Sequence, residues 1–121
     1  MEQLPALDPI IHPANRLRIC AALSGANAVA GIAEMRFARL KELTGLSDPT
    51  LSKQLTTLEK AGYISRFREY GSTRAKDTVW IQLTEKGKKA FDRHVTILRA
   101  LAALELDSTN TQPTTEGGAR S

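Results

Sequence analysis

The sequence predicts a mainly α-helical chain carrying one small β hairpin, and three observations predict it. Apolar residues recur at helical spacing through residues 13–60 and again through 85–106. Between these regions the period changes to two, over residues 63–70 and again in Val79-Trp80-Ile81-Gln82-Leu83. Residues 47–62 form one short helix with both ends marked, and the rest of the chain is organised around it.

Taken in order, residues 1–12 are punctuated by Pro5 and Pro9 and predict an extended arm. A helix follows from Pro13 to Leu23 or Ser24, with Leu17, Cys20 and Ala21 on one side, Ile19 and Leu23 beside them, and Gly25 as its stop. Residues 24–33 are rich in small side chains and carry no period that assigns them. Glu34-Met35-Arg36 reads as a brief strand leading into a helix over about 37–44. In that helix Phe37, Leu40 and Leu43 face inward, and Gly45 ends it.

Leu46 opens a tight turn into the organising helix. Ser47 can cap its first free amides, Asp48 suits the positive end of its dipole, Pro49 is tolerated in its first turn, and Gly62 stops it. At about 100° per residue, Leu51, Leu55 and Leu58 share one narrow stripe that must face a core. The opposite side carries Pro49, Lys53, Thr56 and Lys60, flanked by Thr50, Thr57, Ser52 and Gln54. A merely solvated helix face is usually laced with Glu and Lys pairs. Short hydroxyls, an amide and lysines are instead suited to hydrogen-bond base edges and phosphates in a groove.

After Gly62 two strands are predicted, joined by Gly71-Ser72-Thr73-Arg74-Ala75-Lys76-Asp77-Thr78, a polar hairpin tip with two cations. Thr84 caps a longer helix from Glu85 to about Leu106. Residues 107–121 cannot build a core and are predicted to be disordered.

The charge is unevenly placed. The chain of 121 residues has a formal charge of +4, yet residues 1–51 are neutral overall. Residues 52–99 hold eleven basic against five acidic side chains, a net of +6. Positive charge therefore begins in the organising helix and continues through the hairpin, which favours a polyanion as partner.

Other chemistries find little support. One cysteine, Cys20, excludes an internal disulfide and any thiolate metal cluster, and on an apolar stripe it reads as a small hydrophobe rather than a redox sensor. His12 and His94 are far apart, with no acid or cysteine at ligand spacing, so neither a metal nor another cofactor is predicted. Trp80 reads as packing under the hairpin more readily than lining an effector pocket. Asp8, Glu34 and Asp48 show no pairing for acid–base work, and no phosphate loop or nucleophile elbow is present, so no enzyme is predicted. Without a signal sequence or an apolar run long enough for a membrane span, the expected location is cytoplasmic.

Helix, helix, turn, helix, two-stranded wing is the winged helix-turn-helix order. Arg16-Leu17-Arg18-Ile19, the stretch from Phe37 to Ser47, the block from Leu51 to Ile64, and Leu83-Thr84-Glu85-Lys86-Gly87 resemble the small MarR-like winged-helix transcriptional regulators, relatives of the ArsR group. The similarity covers roughly residues 10–104. It implies a homodimer on operator DNA, with an unidentified small-molecule effector as a further partner. On that resemblance residues 13–84 form the DNA-binding domain and residues 85–106 a dimerisation helix. The third helix would enter the major groove through Pro49, Thr50, Ser52, Lys53, Gln54, Thr56 and Thr57. Arg68, Ser72, Thr73, Arg74 and Lys76 of the wing would lie over the neighbouring minor groove. The wing tip departs from the Gly-Arg-rich wings of the small members. A rival expectation is a winged helix used only to scaffold proteins, which usually exposes aromatic or aliphatic anchors where this helix exposes none.

The last helix bears two apolar stripes. Phe91, Val95, Leu98 and Ala102 make one, and Ile97, Leu101 and Leu104 make a second rotated from it by more than a quarter turn. A helix that only covered its own core would need one stripe. A second copy is the expected cover, with Phe91, Val95, Leu98, Leu101 and Leu104 at the interface. The operator would then be a pseudo-palindrome.

Overall fold

The computed structural model describes residues 7–110. Its elements run α1 (Ala14–Gly25), β1 (Met35–Arg36), α2 (Phe37–Thr44), α3 (Asp48–Lys60), β2 (Ile64–Glu69), β3 (Thr78–Leu83) and α4 (Glu85–Asn110). The strands form one antiparallel sheet in the order β1-β3-β2. No helix among the described residues is long and apolar enough to cross a membrane.

The core sits where the α3 leucine stripe meets α1 and the sheet. Leu51, Leu55 and Leu58 are fully buried, as are Ile19, Cys20 and Leu23 of α1 and Ile81 and Leu83 of β3. In α1 the inward side is therefore 19, 20 and 23, and Ala21 is exposed. In α2, Leu43 does not face inward and is 44% exposed. Residues 37, 40 and 44 align at 100° per residue, and Thr44 fills the third inward place because its hydroxyl donates to the Leu40 carbonyl at 2.8 Å. The same hydroxyl accepts from the Leu46 amide, pinning the turn into α3.

Residues 24–33, without a readable period, are ordered by the backbone. The Leu83 amide donates to the Ala28 carbonyl and the Ala30 amide donates to the Leu83 carbonyl, both at 2.8 Å. Ala28 and Val29 are buried as a result. The expected arm is also no loose strand over its described part. Residues 8–12 form a turn, with the His12 amide on the Asp8 carbonyl at 2.7 Å, and Ile11 is fully buried. At the other end α4 continues through Asp107–Asn110, where the composition predicts disorder, and residues 111–121 of that expectation lie outside the described residues.

The Leu83-Thr84-Glu85-Lys86-Gly87 segment joins sheet to α4. The Thr84 hydroxyl accepts from the Gly87 amide at 2.9 Å, capping α4, and donates to the Gly62 carbonyl at 2.6 Å. Gly87 is buried, and a Cβ there would overlap the Tyr63 carbonyl and approach the Tyr63 Cα to 2.9 Å. Helix propensity alone favours alanine at this position by about 1 kcal/mol. The backbone overlap outweighs that gain. Gly87→Ala should destabilise the fold by about 1–3 kcal/mol in a urea titration, and a neutral or stabilising result would refute the close approach.

Candidate nucleic-acid interface

The α3 helix is capped as its sequence dictates. The Ser47 hydroxyl accepts from the Thr50 amide at 3.3 Å, and Gly62, one residue past the C-cap Ala61, has φ of +80°. The capping turns and the buried leucines fix what the outer face presents. Pro49, Ser52, Lys53 and Lys60 are exposed, while Thr50, Thr56 and Thr57 are partly so. Thr56 and Thr57 donate to the carbonyls of Ser52 and Lys53 within the helix. Lys53 and Lys60 have no ion pair among the described residues, so their charge faces solvent uncompensated.

Gln54 is placed differently from its neighbours. It lies on the flank of the leucine stripe, half-buried, and its Oε1 accepts from Arg16 Nη1 at 2.7 Å. Its amide oxygen is therefore already occupied.

The wing lies alongside α3. Rows across the sheet set its two faces: Met35, Ile81 and Arg66 stand in one row, and Arg36, Trp80 and Phe67 in the next, on the opposite face. Arg66 reaches from β2 to α3. Its guanidinium donates to Glu59 Oε1 at 2.7 and 3.1 Å and to the Thr56 hydroxyl at 3.2 Å. A cleft of about 340 Å³ between α3 and the sheet is lined by Ser52, Arg66, Arg68, Phe37 and Val79. Arg68 is half-exposed and 3.5 Å from Asp77, whose other oxygen accepts from the Gly71 amide and closes the hairpin. At the exposed tip the Ser72 hydroxyl accepts from the amides of Arg74 and Ala75. The side chains of Thr73, Arg74 and Lys76 project from that tip without an ion pair among the described residues.

Sequence reasoning does not single out Arg66. Its signal is the period of two: residues 64, 66 and 68 share the face that packs on α3, so an arginine at 66 must meet that helix. Trp80 stands on the outer sheet face, half-buried, its Nε1 donating to Glu69 at 2.9 Å. Phe67 and Tyr70 of the wing are 59% and 78% exposed.

On α4, Phe91 and Ile97 are buried by the chain itself, and Val95 packs against the same core. The expected interface set therefore divides: Phe91 and Val95 serve this domain, Leu98 is half-buried, and Leu101 and Leu104 are 38% and 56% exposed. Ile97 lines one cavity with the turn at residues 7–10.

That turn builds a second site. His94 is 1% exposed, and its Nδ1 accepts from the Asp8 amide at 3.2 Å. Its Nε2 is buried without a partner. The His12 ring stands 5.9 Å away, centroid to centroid, although the two histidines are 82 residues apart in sequence. Asp8 Oδ1 accepts from the amides of Ile10 and Ile11, and Oδ2 accepts from the Tyr63 hydroxyl at 2.6 Å. Burial pushes the Asp8 carboxyl up, but these donors and His94 outweigh it and hold it below its ordinary value. Tyr63 is pushed up to about 12, first by its bond to that carboxylate. A cavity of about 320 Å³ opens beside the cluster, with Leu7, Ile10 and Ile97 as apolar walls. No three His, Cys, Asp or Glu side chains gather to hold a metal among the described residues. Cys20 is fully buried, and desolvation pushes its thiol up to about 12, which leaves no reactive thiolate.

Burial and the neighbouring His12 hold His94 below its ordinary 6.5 despite the opposing pull of Asp8. As the pH falls, the unfolded chain therefore takes up this proton before the native chain does. Stability should be unaffected well above 6.5, decline as the pH drops through 6.5, and level off below the depressed native value. Melting temperatures measured from about pH 7.5 to about 5 should follow that course, and a flat series would contradict a destabilised buried imidazole.

The family model described as Winged helix DNA-binding domain matches residues 16–102. No curated protein matches the chain by sequence. Among solved structures, NadR in complex with 4-hydroxyphenylacetate is 24% identical with a TM-score of 0.58, over 80% of this chain and 66% of that one. The chain thus spans just under two thirds of NadR's length. The transcriptional repressor BigR from Xylella fastidiosa is 25% identical with a TM-score of 0.54, over 76% of this chain and 79% of that one. The zinc-responsive MarR family member ZitR from Lactococcus lactis is 16% identical with a TM-score of 0.58, over 94% of this chain and 71% of that one. With the α3 helix, its turn and the wing all in place, the chain belongs to the winged helix DNA-binding domain family.

Proposed function

We propose that this protein is a transcriptional regulator that binds a pseudo-palindromic operator as a homodimer. The observation that carries the reading is the shared cleft between α3 and the sheet, in which Ser52 of the helix and Arg68 of the wing line one surface. Uncompensated Lys53 on one side and Arg74 and Lys76 on the other extend it. In this reading Pro49, Thr50, Ser52 and Lys53 enter the major groove, with Thr56 and Thr57 beside the backbone. Arg68, Ser72, Thr73, Arg74 and Lys76 meet the neighbouring phosphates or minor groove. Gln54 joins them only through its amide nitrogen, because Arg16 holds its oxygen. Selection of bound sequences from a random DNA library tests the whole reading. An enriched inverted repeat supports it, and no enriched sequence would sink it. The exposed Phe67 and Tyr70 favour the second reading, a protein-scaffolding winged helix, in that event.

An effector is the finer part of this proposal. NadR was solved with 4-hydroxyphenylacetate. Here the cavity between the 7–10 turn and α4, apolar with a few convergent polar groups, is the place where a small molecule would act.

Two expectations separate the elements. Arg74→Ala should weaken binding to every sequence and reduce the salt slope by about one unit, because one phosphate is no longer neutralised. Substitution of Thr50 or Ser52 should instead change the preferred sequence, at a cost of about 1–3 kcal/mol for each base-edge hydrogen bond removed. Isotherms at several salt concentrations, on selected and scrambled duplexes, distinguish the two. For the dimer, Leu101→Asp should give a folded monomer with far weaker operator binding. Sedimentation of the wild type as a monomer at micromolar concentration would remove the dimer and the inverted repeat together.

A further inference from the structure

Four hydrogen-bonded steps lead from the buried histidine of α4 to the α3 helix. His94 Nδ1 accepts from the Asp8 amide at 3.2 Å. The Asp8 carboxylate folds its own turn, accepting from the Ile10 amide at 2.8 Å and the Ile11 amide at 3.3 Å. The Ile10 carbonyl at the end of that turn accepts from Arg16 Nε at 2.5 Å. Arg16 Nη1 then donates to Gln54 Oε1 at 2.7 Å. One guanidinium thus holds the turn and the α3 helix at once, with two donors of its rigid plane.

We propose that Arg16 is a positioning residue for the DNA-reading helix, and that it makes specific DNA affinity follow the protonation state of His94. This rests on the DNA-binding function proposed above. With Nδ1 accepting, His94 is neutral and carries its proton on Nε2. In the imidazolium both ring nitrogens are donors, so Nδ1–H and the Asp8 amide would confront each other. The Asp8 turn must then move, the Ile10 carbonyl moves with it, and Arg16 cannot keep both partners. The α3 helix loses the tie that sets its flank.

The charged and titratable groups around His94 are known for each element packed on it. The turn supplies Asp8, which favours the charged ring, and His12, which opposes it. Tyr63 stands on Asp8, with Lys86 over its ring at 5.5 Å, and α1 supplies Arg16 and the un-ionised Cys20. On α4 itself Arg93 lines the adjoining cavity. Histidine is the side chain whose ordinary charge change lies nearest neutral pH, and the chain has two, His12 and His94.

The sign of the effect is diagnostic. Adding positive charge to a DNA-binding protein raises affinity for any duplex. Release of the Arg16 tie instead lowers the ratio of operator to scrambled-duplex affinity on acidification. The experiment measures that ratio for the full chain from about pH 7.5 to about 5.5, with the His94 titration followed by NMR; a fall of about fivefold or more tracking His94 is expected. Arg16→Met and Gln54→Leu break the same bond from its two ends, so each should remain folded with His94 still titrating, and each should lose the pH response. The double variant should be no worse than Gln54→Leu alone, which removes the amide nitrogen as well as the tie. If one of the pair does not fold, the other carries the test. His12→Gln should keep the response with its midpoint moved upward, because an opposing neighbour is gone. A ratio that stays flat while His94 titrates overturns the proposal, as does a fall of equal size in Arg16→Met or Gln54→Leu. Both outcomes leave DNA binding standing. A protein that selects no operator at all overturns the DNA-binding function, and this coupling with it.

Discussion

The placement of α3 depends on one threonine. Thr84 sits where α3 ends, β2 begins, β3 ends and α4 starts, and its polar atoms serve all four. Its hydroxyl donates to Gly62 and accepts from Gly87, while its amide donates to the Tyr63 carbonyl at 3.0 Å. These backbone groups would otherwise be orphaned at a crowded junction, where each unpaired group is costly. Gly87 completes the junction by having no Cβ to hold Tyr63 away. Lys86 adds its ammonium to the Ala61 carbonyl at 3.0 Å, a cation at the negative end of the α3 dipole. The angle at which α3 meets wing and α4 is therefore set by hydrogen bonds within a few residues, and the leucine stripe fills the space they define.

Charge in this molecule divides into spent and unspent groups. Arg66 is spent: its fork on Glu59 and Thr56 fastens β2 to α3, and at partial exposure such a pair contributes more to geometry than to stability. Lys41 is spent on Asp48 at 2.8 Å, joining the two helices of the turn. Lys53 on α3 and Arg74 and Lys76 on the wing are not. Part of the net positive charge of residues 52–99 thus reaches solvent on α3 and the wing tip, and the rest lies on α4 at Lys89, Arg93 and Arg99.

How much of this is legible in the sequence follows from how local each cause is. The α3 helix carries its own cap, stop and stripe, and its bounds follow from them to within a residue or two. The strands are legible from the period of two, and the brief β1 from three residues. Leu43 is misread as inward because a helix of eight residues has too few turns for a stripe to average out, and Thr44, with its hydroxyl satisfied locally, takes the inward place. Residues 24–33 are illegible because backbone bonds to Leu83 order them and leave no side-chain pattern. The cluster of Asp8, His12, Tyr63 and His94 is illegible for another reason: it is assembled from three separate elements, and only the packed fold brings the two histidines to 5.9 Å.

The same turn changes the reading of α4. A helix of 26 residues is about 39 Å long, more than one small domain can cover. Its first half is consumed by the domain, with Phe91 in the core and Ile97 buried beside the cavity that residues 7–10 line. The two-stripe pattern is thus shared between two different covers. The stripe through Phe91 and Val95 belongs to the core, and the stripe through Ile97 belongs to the turn as far as that turn reaches. Past Leu98 neither cover extends, and Leu101 and Leu104 stay in solvent. Apolar surface left exposed there forgoes about 25 cal/mol for each Å² that a partner could cover. The surface for the proposed second copy is therefore smaller and nearer the C-terminal end than the full stripe suggests. Leu101 stands about one helical turn beyond Ile97, which lines a cavity with the turn that Arg16 ties to α3. A pairing at Leu101 and Leu104 would therefore sit near a second link between α4 and α3, besides the Thr84 junction.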